Sequence, residues 1–224
     1  MKHRAVWSAE GGTWGIPGGA TADGESPIEG ALRESYEEAN ITPEDIDAVL
    51  SHFAPGDYLL MQNEMSNLTY MLRAAVQRGL RVVLNVSPIS EEILHVDLSG
   101  VDWLVVNEIE CARMAGCEDP QAGYETLKQR YPSLGILLTL GAEGSVSWKD
   151  GVEVRQCAYP VKAVDTTGAG DTYMGYLVGC LAQGMDRQAA MQYASMASAI
   201  SVTRPGAAVS IPLMDEVRAA VEAL

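Results

Sequence analysis

Nine consecutive residues, Val164-Asp165-Thr166-Thr167-Gly168-Ala169-Gly170-Asp171-Thr172, hold the densest set of groups able to do chemistry in this 224-residue chain. Gly168 and Gly170 permit a tight turn whose backbone N–H groups converge at a helix N-terminus, where an anion is favoured. Such a nest suits a phosphoryl group. Asp171 stands beside it, placed to take the proton from an attacking hydroxyl as phosphate transfers. The same spacing also fits a helix cap with an acidic first turn, because short glycine motifs recur by chance. A second set lies near the N-terminus. Glu34, Glu37 and Glu38, at i, i+3 and i+4, share one face of a helix, so three carboxylates converge into a hard-oxygen site for magnesium or manganese. The plainer alternative is an acidic, solvated helix.

The elements that must position these groups follow from hydrophobic periodicity and turn signals. A composition shift near residue 40 separates a short first part, too small to fold alone, from a larger second one. In the first, Ser26-Pro27 sits where a cap and first-turn proline belong, and residues 27 to 39 read as one helix. Thr42-Pro43-Glu44-Asp45 is a further cap, with Asp45 at the third helical position of a capping box, opening a short helix to about Leu50. From Asp57 onward short apolar runs alternate with helical patterns, the mark of βαβ units and a parallel sheet. Tyr58 to Met61, Val82 to Val86, Trp103 to Val106 and Ile136 to Leu140 are the expected strands. Leu68, Met71, Leu72, Ala75 and Val76 repeat at helical spacing, with Gly79 as the stop. Residues 145 to 157 alternate around Asp150-Gly151 and predict a β-hairpin. Helices are expected over about 170 to 183, 187 to 202 and 213 to 223.

Composition narrows the function. With 15 basic and 30 acidic residues the formal charge is -15, which repels phosphate backbones and anionic lipid surfaces and disfavours nucleic-acid and membrane partners. No run approaches the roughly 20 apolar residues of a membrane span, and no signal-peptide core follows the first residues, so a cytoplasmic protein is expected. Cys111, Cys117, Cys157 and Cys180 lack C-x-x-C spacing and are expected to be reduced and structural.

The segment from Val164 to Thr172 resembles the second signature of the ribokinase, or PfkB, family of carbohydrate kinases. The resemblance runs from about Ile41 to Pro212. It includes Leu59-Leu60-Met61-Gln62-Asn63-Glu64, Leu84-Asn85-Val86-Ser87-Pro88, Asn107-Glu108-Ile109-Glu110, Thr139-Leu140-Gly141-Ala142-Glu143-Gly144 and Val202-Thr203-Arg204-Pro205-Gly206-Ala207. It implies an α/β fold with a doubly wound parallel sheet; because the family's first strands have no counterpart here, an exposed sheet edge and a homo-oligomer that covers it are expected. It implies ATP-dependent transfer to a sugar or nucleoside hydroxyl, with Mg2+ and a monovalent cation such as K+. Asp171 matches the catalytic base, and Gly168, Ala169 and Gly170 the anion hole. Asn107 and Glu110 match the N-x-x-E that organises magnesium and phosphate, although Glu110 also suits a solvated helix face. Thr139, Gly141 and Gly144 match the nucleotide loop, and Glu64 a sugar-contacting acid. Asp165, Thr167, Ser201, Gly206 and Ser210 match the monovalent-cation loop. Ser195 stands near the expected adenine site, where many relatives carry Asn or His.

The family's N-terminal third, with its first strands, sugar-covering lid and Gly-Gly signature, has no counterpart. In its place Trp14-Gly15-Ile16-Pro17-Gly18-Gly19, Glu25, Arg33-Glu34 and Glu37-Glu38 resemble the Nudix-hydrolase box. Ser35 and Asn40 depart from that pattern. The domain expectation is therefore a Nudix-box-like fragment over residues 1–40, not an independent domain, joined to a truncated ribokinase-like portion over 41–224. Kinase activity impaired by the missing sugar-binding segment is the first functional expectation. A Nudix-type pyrophosphatase using Glu34, Glu37 and Glu38, or nucleotide binding without turnover, are the alternatives.

Overall fold

The computed structural model describes residues 2–3, 14–15, 26 and 41–224. The chain divides into two units, Met1–Val49 and Leu50–Leu224. In the first, β1 (Lys2–His3) pairs antiparallel with β2 (Trp14–Gly15). The helix expected over 27 to 39, with Glu34, Glu37 and Glu38, lies outside the described residues. Helix α1 (Pro43–Leu50) begins where the Thr-Pro-Glu-Asp signal places it. Asp45 N–H donates to Thr42 Oγ1 at 3.2 Å, and Thr42 N–H donates to Asp45 Oδ2 at 3.0 Å, the reciprocal bonds of a capping box.

The second unit is built on a six-stranded sheet ordered β3 (Tyr58–Gln62), β4 (Arg81–Asn85), β5 (Val101–Asn107), β6 (Gly135–Thr139), β7 (Ser145–Lys149) and β8 (Val152–Gln156). The first four strands are parallel, and β7 and β8 run antiparallel to their neighbours. All four apolar runs marked as strands in the sequence form strands, with ends within two residues of those expected. The predicted hairpin joins the sheet as its far edge. Asp150 (φ 53°) and Gly151 (φ 76°) both adopt the left-handed region that a two-residue turn of this twist demands.

Because the parallel strands progress in one direction, right-handed crossovers put α2 (Leu68–Gln77), α3 (Glu108–Ala115) and α4 (Pro120–Arg130) on one face of the sheet. Helices α5 (Ala169–Ala182) and α6 (Arg187–Ser201) cover the other. Strand residues divide between the faces by parity. Val83, Trp103, Val105 and Leu137 pack with Tyr173, Met174, Leu177, Met191 and Ala194 of α5 and α6. The alternate positions Val82, Leu84, Leu104, Val106, Ile136 and Leu138, none more than 2% exposed, point the other way. Strands apolar on both faces are what a sheet covered on both sides requires, and each such side chain contributes roughly 1.5–3 kcal/mol by leaving water. The sheet is thus wound on both faces as expected, with an antiparallel hairpin extending its parallel part. Gly135 makes room for the core indole: a Cβ there would stand 2.6 Å from Trp103 Cε3. Helix α7 (Met214–Glu222) closes the chain, packing Val217 with Met196 and Ala197.

Helices α3 and α4 were not anticipated individually. Asn107 both ends β5 and caps α3, leaving no loop to announce the helix. Asp119 caps α4, its Oδ1 accepting from Ala122 N–H at 2.7 Å, with Pro120 in the first turn. Among the described residues no helix is long and apolar enough to cross a membrane. The four cysteines are free.

Candidate functional site

The parallel strands end on polar residues, Gln62, Asn85, Asn107 and Thr139, at the carboxyl edge where open α/β sheets bind ligands. Beside that edge lies a cleft of about 700 Å³, a size suited to a small-molecule ligand. Seven residues singled out by the sequence line it together: Asn107, Thr139, Gly141, Gly144, Ala169, Gly170 and Ser195. They come from β5, β6, the loop after β6, and helices α5 and α6, so only the folded sheet brings them into one wall.

Gly168 takes φ 74° at the start of α5, a conformation that favours glycine, and its carbonyl accepts from Thr172 N–H at 2.8 Å. The turn therefore presents the first-turn N–H groups of a 14-residue helix at the cleft. Asp171, exposed in that first turn, accepts at Oδ1 from Gln62 Nε2 at 2.8 Å.

The loop after β6 depends on two glycines of positive φ, Gly141 at 53° and Gly144 at 103°. At Gly144 a Cβ would lie 2.0 Å from the Gln156 carbonyl oxygen, so the loop and strand β8 meet at a distance only glycine allows. Leu140 N–H donates to Gly144 O at 2.8 Å and closes the loop.

Asn107 and Glu110 form a reciprocal pair: Glu110 N–H donates to Asn107 Oδ1 and Asn107 N–H donates to Glu110 Oε2, each at 2.9 Å. Glu110 is only 5% exposed, which corrects the reading of a solvated helix face; its Oε2 takes part in the helix cap. Among the described residues no group of three His, Cys, Asp or Glu side chains is placed to hold a metal ion.

Asp165 ties two loops together, accepting at Oδ1 from Thr167 N–H and at Oδ2 from Gly206 N–H, both at 2.9 Å. Hydrogen bonds from the Thr167 side chain, from its backbone N–H and from Gly206 N–H hold the Asp165 carboxyl down at about 2. Ser201 and Ser210 are buried near these loops and donate to Ser198 O at 2.9 Å and Ala207 O at 2.7 Å. Glu64 is exposed in the turn after β3 and is not part of the cleft lining.

Three features escaped the sequence. Gln62 reaches Asp171 of α5 from the end of β3, and its signal is a polar residue ending an apolar run. Tyr173 lines the cleft and shares a hydrogen bond of 2.7 Å with Ser145. The segment Ala158, Tyr159, Pro160 and Val161 forms a largely apolar wall without a motif to mark it.

Comparison with known proteins shows the family and the fold. The family model described as pfkB family carbohydrate kinase matches residues 34–214. The chain is 34% identical over 176 residues to a ribokinase of Haemophilus influenzae, covering 74% of this chain and 56% of that protein. It is similar in structure to the ribokinase from Cryptococcus neoformans var. grubii in complex with ADP, with TM-score 0.66, 28% identity and coverage of 76% of this chain and 61% of that one. The N-terminal part is 88% identical over 52 residues to a nucleoside triphosphate pyrophosphatase/Nudix hydrolase fusion protein of Bifidobacterium longum, covering 23% of this chain and 11% of that protein. The chain spans 60% or less of the length of the curated ribokinases it matches here.

Proposed function

The chain belongs to the pfkB family of carbohydrate kinases, and on that premise we propose that it transfers a phosphoryl group from magnesium-bound ATP to a hydroxyl of a sugar or nucleoside. The observation that carries this reading is the single cleft wall shared by the glycine turn of α5, the glycine loop after β6, Asn107 and Ser195. That the Cryptococcus relative is in complex with ADP supports a nucleotide as the ligand.

Each residue has a role in this proposal that its geometry permits. The N–H groups of Ala169 and Gly170, set by the left-handed Gly168, face the transferring phosphoryl group and offset its charge in a preorganised site. Asp171, held by Gln62, accepts the proton of the attacking hydroxyl. Thr139, Gly141 and Gly144 shape the loop along the nucleotide, and Ser195 lies on the wall for the base. Magnesium suits phosphate oxygens and water with few protein ligands, and Glu110, paired with Asn107 at the end of β5, is the residue that would help hold it. Asp165, Thr167, Ser201, Gly206 and Ser210 are the residues that would hold K+. The loops around Asp165 and Gly206 are already joined by the Asp165 carboxylate. Glu64 is the acid proposed to contact the acceptor.

A second reading, Nudix-type hydrolysis at Glu34, Glu37 and Glu38, is favoured by the N-terminal similarity alone. The cleft is lined by residues within the stretch that the kinase family model matches, so the kinase reading is preferred.

The deciding experiment measures sugar phosphate and ADP formed from ATP with a panel of pentoses, hexoses and nucleosides, in wild type and Asp171→Asn. The substitution keeps the shape and removes the base, so transfer should fall by roughly 100-fold or more while calorimetry shows unchanged ADP binding. Transfer undiminished in Asp171→Asn would overturn the assignment.

A further inference from the structure

We propose that the outer edge of β3 pairs with β3 of a second copy of this chain, antiparallel and centred on Leu60, joining two sheets into one across a two-fold axis. The inference stands apart from the kinase reading. The sheet begins at β3, and among the described residues no strand pairs with its other side. Asp57 O accepts from Arg81 N–H at 2.8 Å, and along a parallel ladder the main-chain groups alternate in direction. Leu59 and Met61 therefore bond to β4, whereas Tyr58, Leu60 and Gln62 turn their N–H and C=O groups outward. Among the described residues those outward groups make no hydrogen bond. Such a row is a template for another strand.

The composition of the edge selects the occupant. Tyr58-Leu59-Leu60-Met61-Gln62 holds no charge and no proline, the usual protections of an exposed edge. Leu60 is 38% exposed. The far edge differs, because β8 carries Glu153 and Arg155, ion-paired at 2.9 Å.

A chain of formal charge -15 repels its own copy over most of its surface, so self-association needs a seam without facing acids. Antiparallel pairing about Leu60 provides one. It sets Leu60 against the partner's Leu60, Tyr58 against the partner's Gln62 and Leu59 against the partner's Met61. Beyond the strand it sets Asp57 against the partner's Asn63 and Glu64 against the partner's Gly56, so no two carboxylates stand opposite. The outward groups of Tyr58, Leu60 and Gln62 then meet as hydrogen-bonded pairs. The contact is isologous and closes at two chains. It also brings the partner's Tyr58 opposite Gln62, whose Nε2 donates to Asp171 Oδ1 at 2.8 Å, so the seam runs beside the functional site.

The test reads mass and register on the full chain. Light scattering across the micromolar range should give twice the mass of one chain. Leu60→Lys puts like charges directly opposite each other and should give the mass of a single chain with an unchanged folded circular-dichroism spectrum. In a Cys157→Ser background, mild oxidation should link Leu60→Cys to its copy, since the Cα atoms of such a pair stand about 5.5 Å apart, within disulfide reach. Leu59→Cys, whose register partner is the partner's Met61 rather than its own copy, should stay unlinked. A single-chain mass for wild type, as when another segment of the chain or a different protein covers the edge, overturns the inference. So does a dimer that survives Leu60→Lys, or one in which Leu60→Cys does not link. If Leu60→Lys fails to fold, the cross-linking pattern decides alone.

Discussion

Gln62 and Asp171, 109 residues apart in the chain, meet at 2.8 Å, where the amide Nε2 donates to the carboxylate Oδ1. The bond joins the end of β3 to the first turn of α5 and fixes one carboxylate oxygen, so the direction of the other is set by the fold. If Asp171 is the base, Gln62 is its positioning residue. Gln62→Leu removes the bond at nearly constant volume and should lower kcat by roughly 10- to 100-fold, the scale of a small misplacement of a reacting group, while leaving the ADP dissociation constant unchanged. Steady-state kinetics beside calorimetry make the comparison. An unchanged kcat would show that the bond does not position the carboxylate.

Gly144 and Gly141 make a graded pair. A Cβ at Gly141 meets nothing within 4 Å, so Gly141→Ala carries only the cost of its positive φ, about 1–2 kcal/mol. At Gly144 the added atom would lie 2.0 Å from the Gln156 carbonyl and 2.6 Å from Ala158 N, both backbone atoms that cannot swing aside. Gly144→Ala should therefore cost more, on the order of 3 kcal/mol or above. Urea unfolding of both variants checks the order, and equal losses would refute the argument from close approach.

These glycines and the strands around them were legible because their signals are local. An apolar run, an Asp-Gly turn or a Thr-x-x-Asp box is written within a few neighbouring residues, and the structure places the strands, the hairpin and α1 accordingly. Partnerships formed across the fold were not. Nothing near Gln62 announces Asp171, and nothing near Ser145 announces Tyr173. Glu110 shows the same limit within one turn: its motif did not announce that, with α3 starting directly at the end of β5, one carboxylate oxygen would accept from Asn107 N–H and the residue would be buried.

Thiol chemistry should follow burial. Cys157 is exposed, Cys117 is half-buried, and Cys111 and Cys180 are buried. Burial, with a smaller contribution from Cys117, pushes the Cys111 thiol up to about 12, so its thiolate is scarce at neutral pH. Native protein treated with an aromatic disulfide reagent should show one fast thiol, removed by Cys157→Ser, and Cys111 and Cys180 should react only in denaturant. Because Cys157 immediately precedes the cleft-lining Ala158 and Tyr159, saturating ADP should slow the fast reaction. A fast phase that survives Cys157→Ser would contradict the assignment.

Tyr173 supplies a prediction in alkali. Burial pushes its hydroxyl from 10.0 up to about 12, against a smaller opposing effect of the Ser145 hydrogen bond. The folded chain keeps a proton that the unfolded chain releases from about pH 10. The stabilisation is fully present below pH 10 and declines as pH rises towards 12, at about 1.4 kcal/mol per pH unit at its steepest. Wild type should lose urea resistance across that window faster than Tyr173→Phe, with a residual slope because burial raises Tyr124 as well. At neutral pH the same pair predicts a different pattern. Ser145→Ala strands a buried phenol and should cost about 1–3 kcal/mol, whereas the double variant Ser145→Ala/Tyr173→Phe removes both partners and should recover part of that loss. Parallel alkaline slopes for wild type and Tyr173→Phe, or strictly additive losses at pH 7, would show that the hydroxyl does not carry the interaction that its 2.7 Å contact with Ser145 describes.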